Sequence, residues 1–190
     1  FNTAVGHNAG VSVTTGRFNA LIGGLAGDAM QTAEHNTAVG YAALGAANGS
    51  GDTLNTAVGS NAMLSLTTGF HNTAVGYAAL DASTTGQRNT AMGRDALGSD
   101  VNGNYSVAIG DATLATQNFT TSTNTFNVAV GYQAGLDVTT GIQNTLIGAN
   151  AGAEITDSDN NVAVGYAALG ANTLGSQTVA VGAGALNNMN

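Results

Sequence analysis

Hydrophobic and polar positions along this chain alternate in a short unit that returns about every 17 residues. The clearest copies are Asn2-Thr3-Ala4-Val5-Gly6, Asn36-Thr37-Ala38-Val39-Gly40, Asn55-Thr56-Ala57-Val58-Gly59 and Asn72-Thr73-Ala74-Val75-Gly76. Looser copies end at Gly23, Gly93, Gly110, Gly131, Gly148, Gly165 and Gly182. Successive motif glycines are 17, 17, 19, 17, 17, 17, 21, 17, 17 and 17 residues apart, so two extra residues precede Gly59 and four precede Gly131. Val, Ile or Met stands before the glycine. Two places earlier Thr gives way to Val at Val107, Val128, Val162 and Val179. Between them is Ala, replaced by Leu at Leu21 and Leu146. Strand alternation puts the outer two side chains on one face and the middle one on the other. Three residues after the glycine comes Ala (Thr113 once), then only Leu, Met or Gly. A turn follows, often Thr-Thr-Gly, as at residues 14–16, 67–69, 84–86 and 139–141.

A helix does not fit, because β-branched residues and glycine dominate and the apolar spacing has no 3.6-residue period. The pattern predicts an all-β fold, a parallel β-solenoid of eleven coils of about 17 residues. One repeat domain spans residues 1–190, with insertions near 45–54 and 115–126. Stacking at about 4.8 Å per strand gives a rod of roughly 50 Å. Equivalent residues then lie above one another. The Asn that opens the unit is expected to form a ladder of side-chain amides through Asn2, Asn36, Asn55, Asn72, Asn89, Asn127, Asn144 and Asn161. Asn19 belongs to the same column, with Ser106 and Thr178 as substitutes. The glycines are expected at corners with positive φ.

The strand reads as apolar on both faces, Val with Thr or Val on one and near-constant Ala on the other. A solvated face should be polar and variable. The small Ala suggests that a second backbone approaches there, and small side chains return little against the entropy of ordering each coil. A homotrimer packing solenoid faces about a common axis is the expectation.

Two stretches, Tyr105-Ser106-Val107-Ala108-Ile109-Gly110-Asp111-Ala112 and Thr178-Val179-Ala180-Val181-Gly182-Ala183-Gly184-Ala185, resemble the head repeats of YadA-like trimeric autotransporter adhesins. The Asn-Thr-Ala-Val-Gly-Tyr-Ala-Ala-Leu units resemble related repeats of bacterial surface and phage tail-fibre-like proteins. The resemblance covers Phe1 to Leu186. It implies a left-handed parallel β-roll that trimerises and binds host matrix or other surfaces. The period here is longer than in the best-known heads, so the second turn must differ, and no coiled-coil stalk is present.

Composition narrows the partners. Only 7% of residues are charged, the net charge is −8, and the basic residues are Arg17, Arg88 and Arg94. That balance disfavours nucleic acid and anionic membranes. Absence of cysteine removes disulfides and thiolate metal sites. No apolar run reaches membrane-span length. A secretion signal or anchor, if one exists, is expected outside this sequence.

Candidate chemistry is sparse, and no enzyme activity is expected. His35 and His71 occupy the slot before the Asn, where other units carry Phe1, Phe18, Arg88, Tyr105 and Phe126, a tolerant surface position. No catalytic constellation, phosphate loop or cofactor motif is found. Calcium is conceivable at Asp100-Val101-Asn102-Gly103-Asn104 with Asp111, and at Asp157-Ser158-Asp159-Asn160. Ordinary Asp/Asn turns explain both more simply. Tyr41, Tyr77, Tyr132 and Tyr166 follow the motif glycine and are candidates for an inter-chain seam or for contact with glycans or proteins. The polar segment Ala115 to Phe126, including Asn118 and Phe119, is expected to protrude as a contact loop.

The expected function is structural or adhesive: an extracellular fibre or adhesin head, on a cell surface or virion, binding a surface ligand such as host-matrix protein or glycan. A self-assembling filament, stacking end to end through uncapped coils, is the second expectation. An ice-binding solenoid is the third, weakened by Val in the Thr column.

Overall fold

The computed structural model describes residues 1–171 and 175–188. The chain is an all-β parallel solenoid of about ten turns. Eleven three-residue strands stack in chain order into one parallel sheet: Thr3–Val5, Ala20–Ile22, Thr37–Val39, Thr56–Val58, Thr73–Val75, Thr90–Met92, Val107–Ile109, Val128–Val130, Thr145–Ile147, Val162–Val164 and Val179–Val181. Register is strict, with Ala74 opposite Ala57 and Ala91. Hydrogen bonds also join coils away from the strands. The Gly23 N–H donates to the Val5 carbonyl (2.8 Å), Leu25 to His7 (2.9 Å) and Gly27 to Ala43 (2.9 Å). Backbone pairing therefore runs along several lines of the rod.

The motif glycine makes the first corner. Gly59 has φ +140°, and a Cβ there would lie 2.2 Å from the Gly76 carbonyl oxygen of the next coil. Side chains are excluded by both the dihedral and the neighbouring backbone.

The two strand faces are the reverse of the expected arrangement. The middle Ala of each strand faces the interior: Ala38, Ala57, Ala74, Ala91, Ala108, Ala129 and Ala163 are fully buried. The flanking Thr/Val and Val/Ile/Met side chains point outward. The reason is volume. Inside a 17-residue coil, Leu or Met four residues after the glycine (Leu44, Met63, Leu80, Leu97, Leu114 and Leu169) fills the core, with the strand opposite kept to alanine height. The constant Ala thus marks tight interior packing within one chain.

Two coils invert that division. Where Leu21 or Leu146 replaces the strand Ala, the same coil carries Gly27 or Gly152 in the leucine slot. A Cβ on Gly27 would come within 2.9 Å of Leu21 Cδ2, and one on Gly152 within 2.7 Å of Leu146 Cδ2. The volume moves from one wall to the other and the core stays filled.

Each insertion adds a two-residue strand that pairs with the preceding coil. Gly51–Asp52 lies parallel to Ala33–Glu34, and Thr123–Asn124 to Gly103–Asn104. The second insertion does not stand off the rod as a free loop. Phe119, expected as a contact residue, is only 8% exposed. Its carbonyl accepts from the Asn102 N–H (2.9 Å), which holds this part of the insertion against the coil below. The Asn118 side chain is exposed while its N–H donates to the Thr139 carbonyl (2.9 Å). Residues 120–122 form the longest exposed run of this insertion, a rim on the rod.

Candidate functional site

The outward face of the eleven-stranded sheet runs the length of the stacked strands. Alternation places two columns on it. One is Thr3, Ala20, Thr37, Thr56, Thr73, Thr90, Val107, Val128, Thr145, Val162 and Val179. The other is Val5, Ile22, Val39, Val58, Val75, Met92, Ile109, Val130, Ile147, Val164 and Val181. In mid-rod coils Ile22, Met92, Ile109 and Ile147 are still about 40% exposed, high for large apolar side chains. The column before the Asn flanks the face on one side, with stacked rings at Phe1–Phe18 (5.5 Å), Phe18–His35 (4.7 Å) and Tyr105–Phe126 (5.3 Å). The column after the glycine flanks the other side and carries the tyrosines. All four tyrosines are exposed. At least one coil separates each from the next (Ser60 between Tyr41 and Tyr77, Ala149 between Tyr132 and Tyr166), so they do not form a continuous ladder. Tyr41 edges a notch of about 570 Å³ floored by Ala42, Gly45 and Ala46.

Behind the face, the opening Asn residues form a buried ladder. Each Oδ1 accepts the backbone N–H of the next opening residue: Asn19 to Asn2 (3.0 Å), Asn36 to Asn19 (2.9 Å), Asn55 to Asn36 (3.0 Å), Asn72 to Asn55 (2.9 Å) and Asn89 to Asn72 (2.9 Å). Beyond the second insertion Asn144 donates to Asn127 (2.9 Å) and Asn161 to Asn144 (2.9 Å). The Nδ2 groups close the turn 14 residues on, as from Asn72 to the Gly86 carbonyl (2.8 Å). The ladder therefore runs mainly from side chain to backbone, which fixes the rotation of each coil on the next.

The column changes at Ser106, whose side chain is too short to carry the amide forward. Gln117, fully buried, supplies it. Its Oε1 accepts from Asn127 Nδ2 (2.8 Å), and its Nε2 donates to Ser106 Oγ (2.9 Å) and Asp100 Oδ2 (2.6 Å). Thr125 completes the splice with a 2.6 Å hydroxyl contact to Ser106. Asp100 Oδ1 accepts from the N–H groups of Gly103 (3.1 Å) and Phe119 (3.2 Å). Burial pushes the Asp100 carboxyl above its ordinary pKa, against the smaller opposing effect of those hydrogen bonds. Asp81 is raised too, chiefly by partial burial.

The acidic loops considered for calcium are not assembled as ligand sets. Asp100 is consumed by the splice, and Asp111 pairs with Arg94 (2.9 Å). Asp159 Oδ1 accepts from the Ile142 N–H (2.8 Å). Among the described residues, one set of three His and carboxylate side chains comes together, Glu34, His35 and Asp52. No helix of the described chain is long and apolar enough to cross a membrane.

Comparison with family models, with curated proteins and with solved structures finds no match to this chain.

Sequence reasoning passed over Gln117. Its signal lies seven residues after each glycine, where Val13, Met30, Ala47, Leu66, Val138 and Ile155 line the interior. Ser83, Asp100 and Gln117 interrupt that column. Polar residues in an apolar column, beside the one mid-chain unit lacking its Asn, point to a buried polar repair.

Proposed function

We propose that the chain is a structural rod of an extracellular fibre or adhesin head, on a cell surface or virion, that associates with copies of itself through the outward sheet. The observation that carries this reading is the outward two-column face, Thr or Val in one column and half-exposed Val, Ile or Met in the other. At one strand spacing per coil and three residues per strand the face measures about 50 Å by 10 Å, on the order of 500 Å² per chain, to which the two flanking columns add. A stable interface takes roughly 800 Å² from each partner. Another copy offers the same coil pitch and the same rung order, so a cyclic arrangement about an axis along the rod sets each Val or Ile rung against its equivalents. The adhesin-head resemblance favours three chains and a left-handed roll. The opposite surfaces, with the tyrosines near the seam and residues 120–122 on a rim, are then left for matrix protein or glycan.

Light scattering tests this directly. The expected mass is close to three times 18.6 kDa. Ile22→Asp and Ile109→Asp together should release monomers whose far-UV spectrum is unchanged, because both side chains are exposed and their strands are not neighbours in the sheet. Native chain that stays at 18.6 kDa at high micromolar concentration sinks the proposal. A second reading, ice binding, draws on the outward run Thr37, Thr56, Thr73 and Thr90 on successive strands. Thermal hysteresis from a monomeric chain would favour it over self-assembly.

A further inference from the structure

The two insertions build the same pairing, but with opposite chemistry at one position. In the second, Asn104 lies opposite Asn124, and the amides satisfy each other, Asn104 Nδ2 donating to Asn124 Oδ1 (3.3 Å). In the first, the equivalent pair is Glu34 opposite Asp52. Two carboxylates facing each other across adjacent strands repel. The residue that follows Glu34 is His35, held in the left-handed region (φ 61°) with its ring stacked on Phe18. Its Nε2 is 3.3 Å from Asp52 Oδ1. Arg17 Nε engages Glu34 through Oε1 (3.0 Å), leaving the second carboxylate oxygen for another cation.

One donor atom from each of Glu34, His35 and Asp52 lies within 4.8 Å of the others. Around a tetrahedral zinc with bonds of about 2.1 Å, neighbouring ligands stand roughly 3.4 Å apart. The His35–Asp52 separation already has that value, and the Glu34 side chain has only to close on them. We propose that Glu34, His35 and Asp52 bind a divalent transition-metal ion, with water completing the coordination. The imidazole nitrogen selects the class: calcium and magnesium take oxygen ligands, whereas zinc and its neighbours accept nitrogen with carboxylate. The ion would neutralise the facing carboxylates and tie the first insertion to the coil below. This site is independent of self-assembly through the outward sheet.

Calorimetric titration of the tag-free chain with zinc chloride, and separately with calcium chloride, tests the assignment. Zinc should saturate at one equivalent per chain and calcium should bind far more weakly. His35→Gln and Asp52→Asn should each weaken zinc binding by at least about tenfold. His71→Gln and Asp157→Asn should leave it unchanged. All four residues are at the surface, so far-UV spectra should match the native chain. No zinc saturation at millimolar concentration overturns the proposal, leaving only a surface ion-pair network. Binding that survives His35→Gln, or calcium binding as tight as zinc, overturns it equally.

Discussion

The insertions at 45–54 and 115–126 begin alike and end differently. Each adds a short strand to the preceding coil, and each returns to the repeat through a threonine two residues before the next Asn, Thr53 and Thr125. At the first, the Asn ladder passes unbroken. Asn55 still donates to Asn36 Oδ1 (3.0 Å), and Thr53 Oγ1 adds a second bond to the same atom (2.8 Å). The extra residues Gly51 and Asp52 stay exposed. At the second, the amide rung is missing at Ser106, and the rod carries a buried acid, Asp100, with Gln117 joining the two halves. A solenoid accommodates extra length easily when it lies outside the ladder. When a rung is lost as well, the core must be rebuilt from polar groups, each of which needs a partner.

The largest expected effect follows from removing that partner. Gln117→Ala leaves Asp100 Oδ2 without its bond and Asn127 Nδ2 with only the Gly141 carbonyl, and it opens a cavity, a loss of about 3–5 kcal/mol. Urea denaturation measures it. Adding Ser106→Asn should recover part of the loss by restoring the rung, and the double-mutant cycle reads the coupling. At the first insertion, Thr53→Val removes one of two bonds to an Asn36 oxygen that keeps its other donor, for about 1 kcal/mol. Equal costs for Gln117→Ala and Thr53→Val would erase the distinction between the two sites.

Most of the architecture was legible in the spacing, because a 17-residue period with one glycine corner permits little else. The orientation of the faces was not. Period-two alternation says that Thr37 and Val39 share a side and Ala38 takes the other, but it does not say which side is inside. The deciding signal was volume. Leu21 with Gly27, and Leu146 with Gly152, exchange bulk within single coils, which makes sense only if the two positions meet in one core. Reading constancy of Ala as a docking surface inverted that logic. For the candidate sites the limit was different. Asp52 meets Glu34 and His35 only because the first insertion restarts a strand in register, and the chain shows no short-range motif that announces it.

The smallest effect is also the most direct probe of the buried acid. Burial raises the folded-state pKa of Asp100 above its unfolded value, so in acid the folded chain holds this proton more tightly than the unfolded chain does. Stability from this group is therefore greatest below the ordinary carboxylate pKa and falls as pH rises towards the raised value. Above that value the loss is complete and the contribution flat. Asp81 moves in the same direction from a more exposed position. Asp100→Asn removes the titration. It gives up the acceptor facing Gln117 Nε2, a cost of about 1 kcal/mol, and is relieved of the charge, so its net effect at neutral pH should be small. The difference lies in the slope: between pH 7 and pH 4.5 the native chain should gain stability relative to the Asp100→Asn chain in urea midpoints. A native chain that loses stability relative to the variant on acidification would mean that Gln117 and the two N–H donors outweigh burial. The splice would then be a preformed carboxylate site instead of a strained repair.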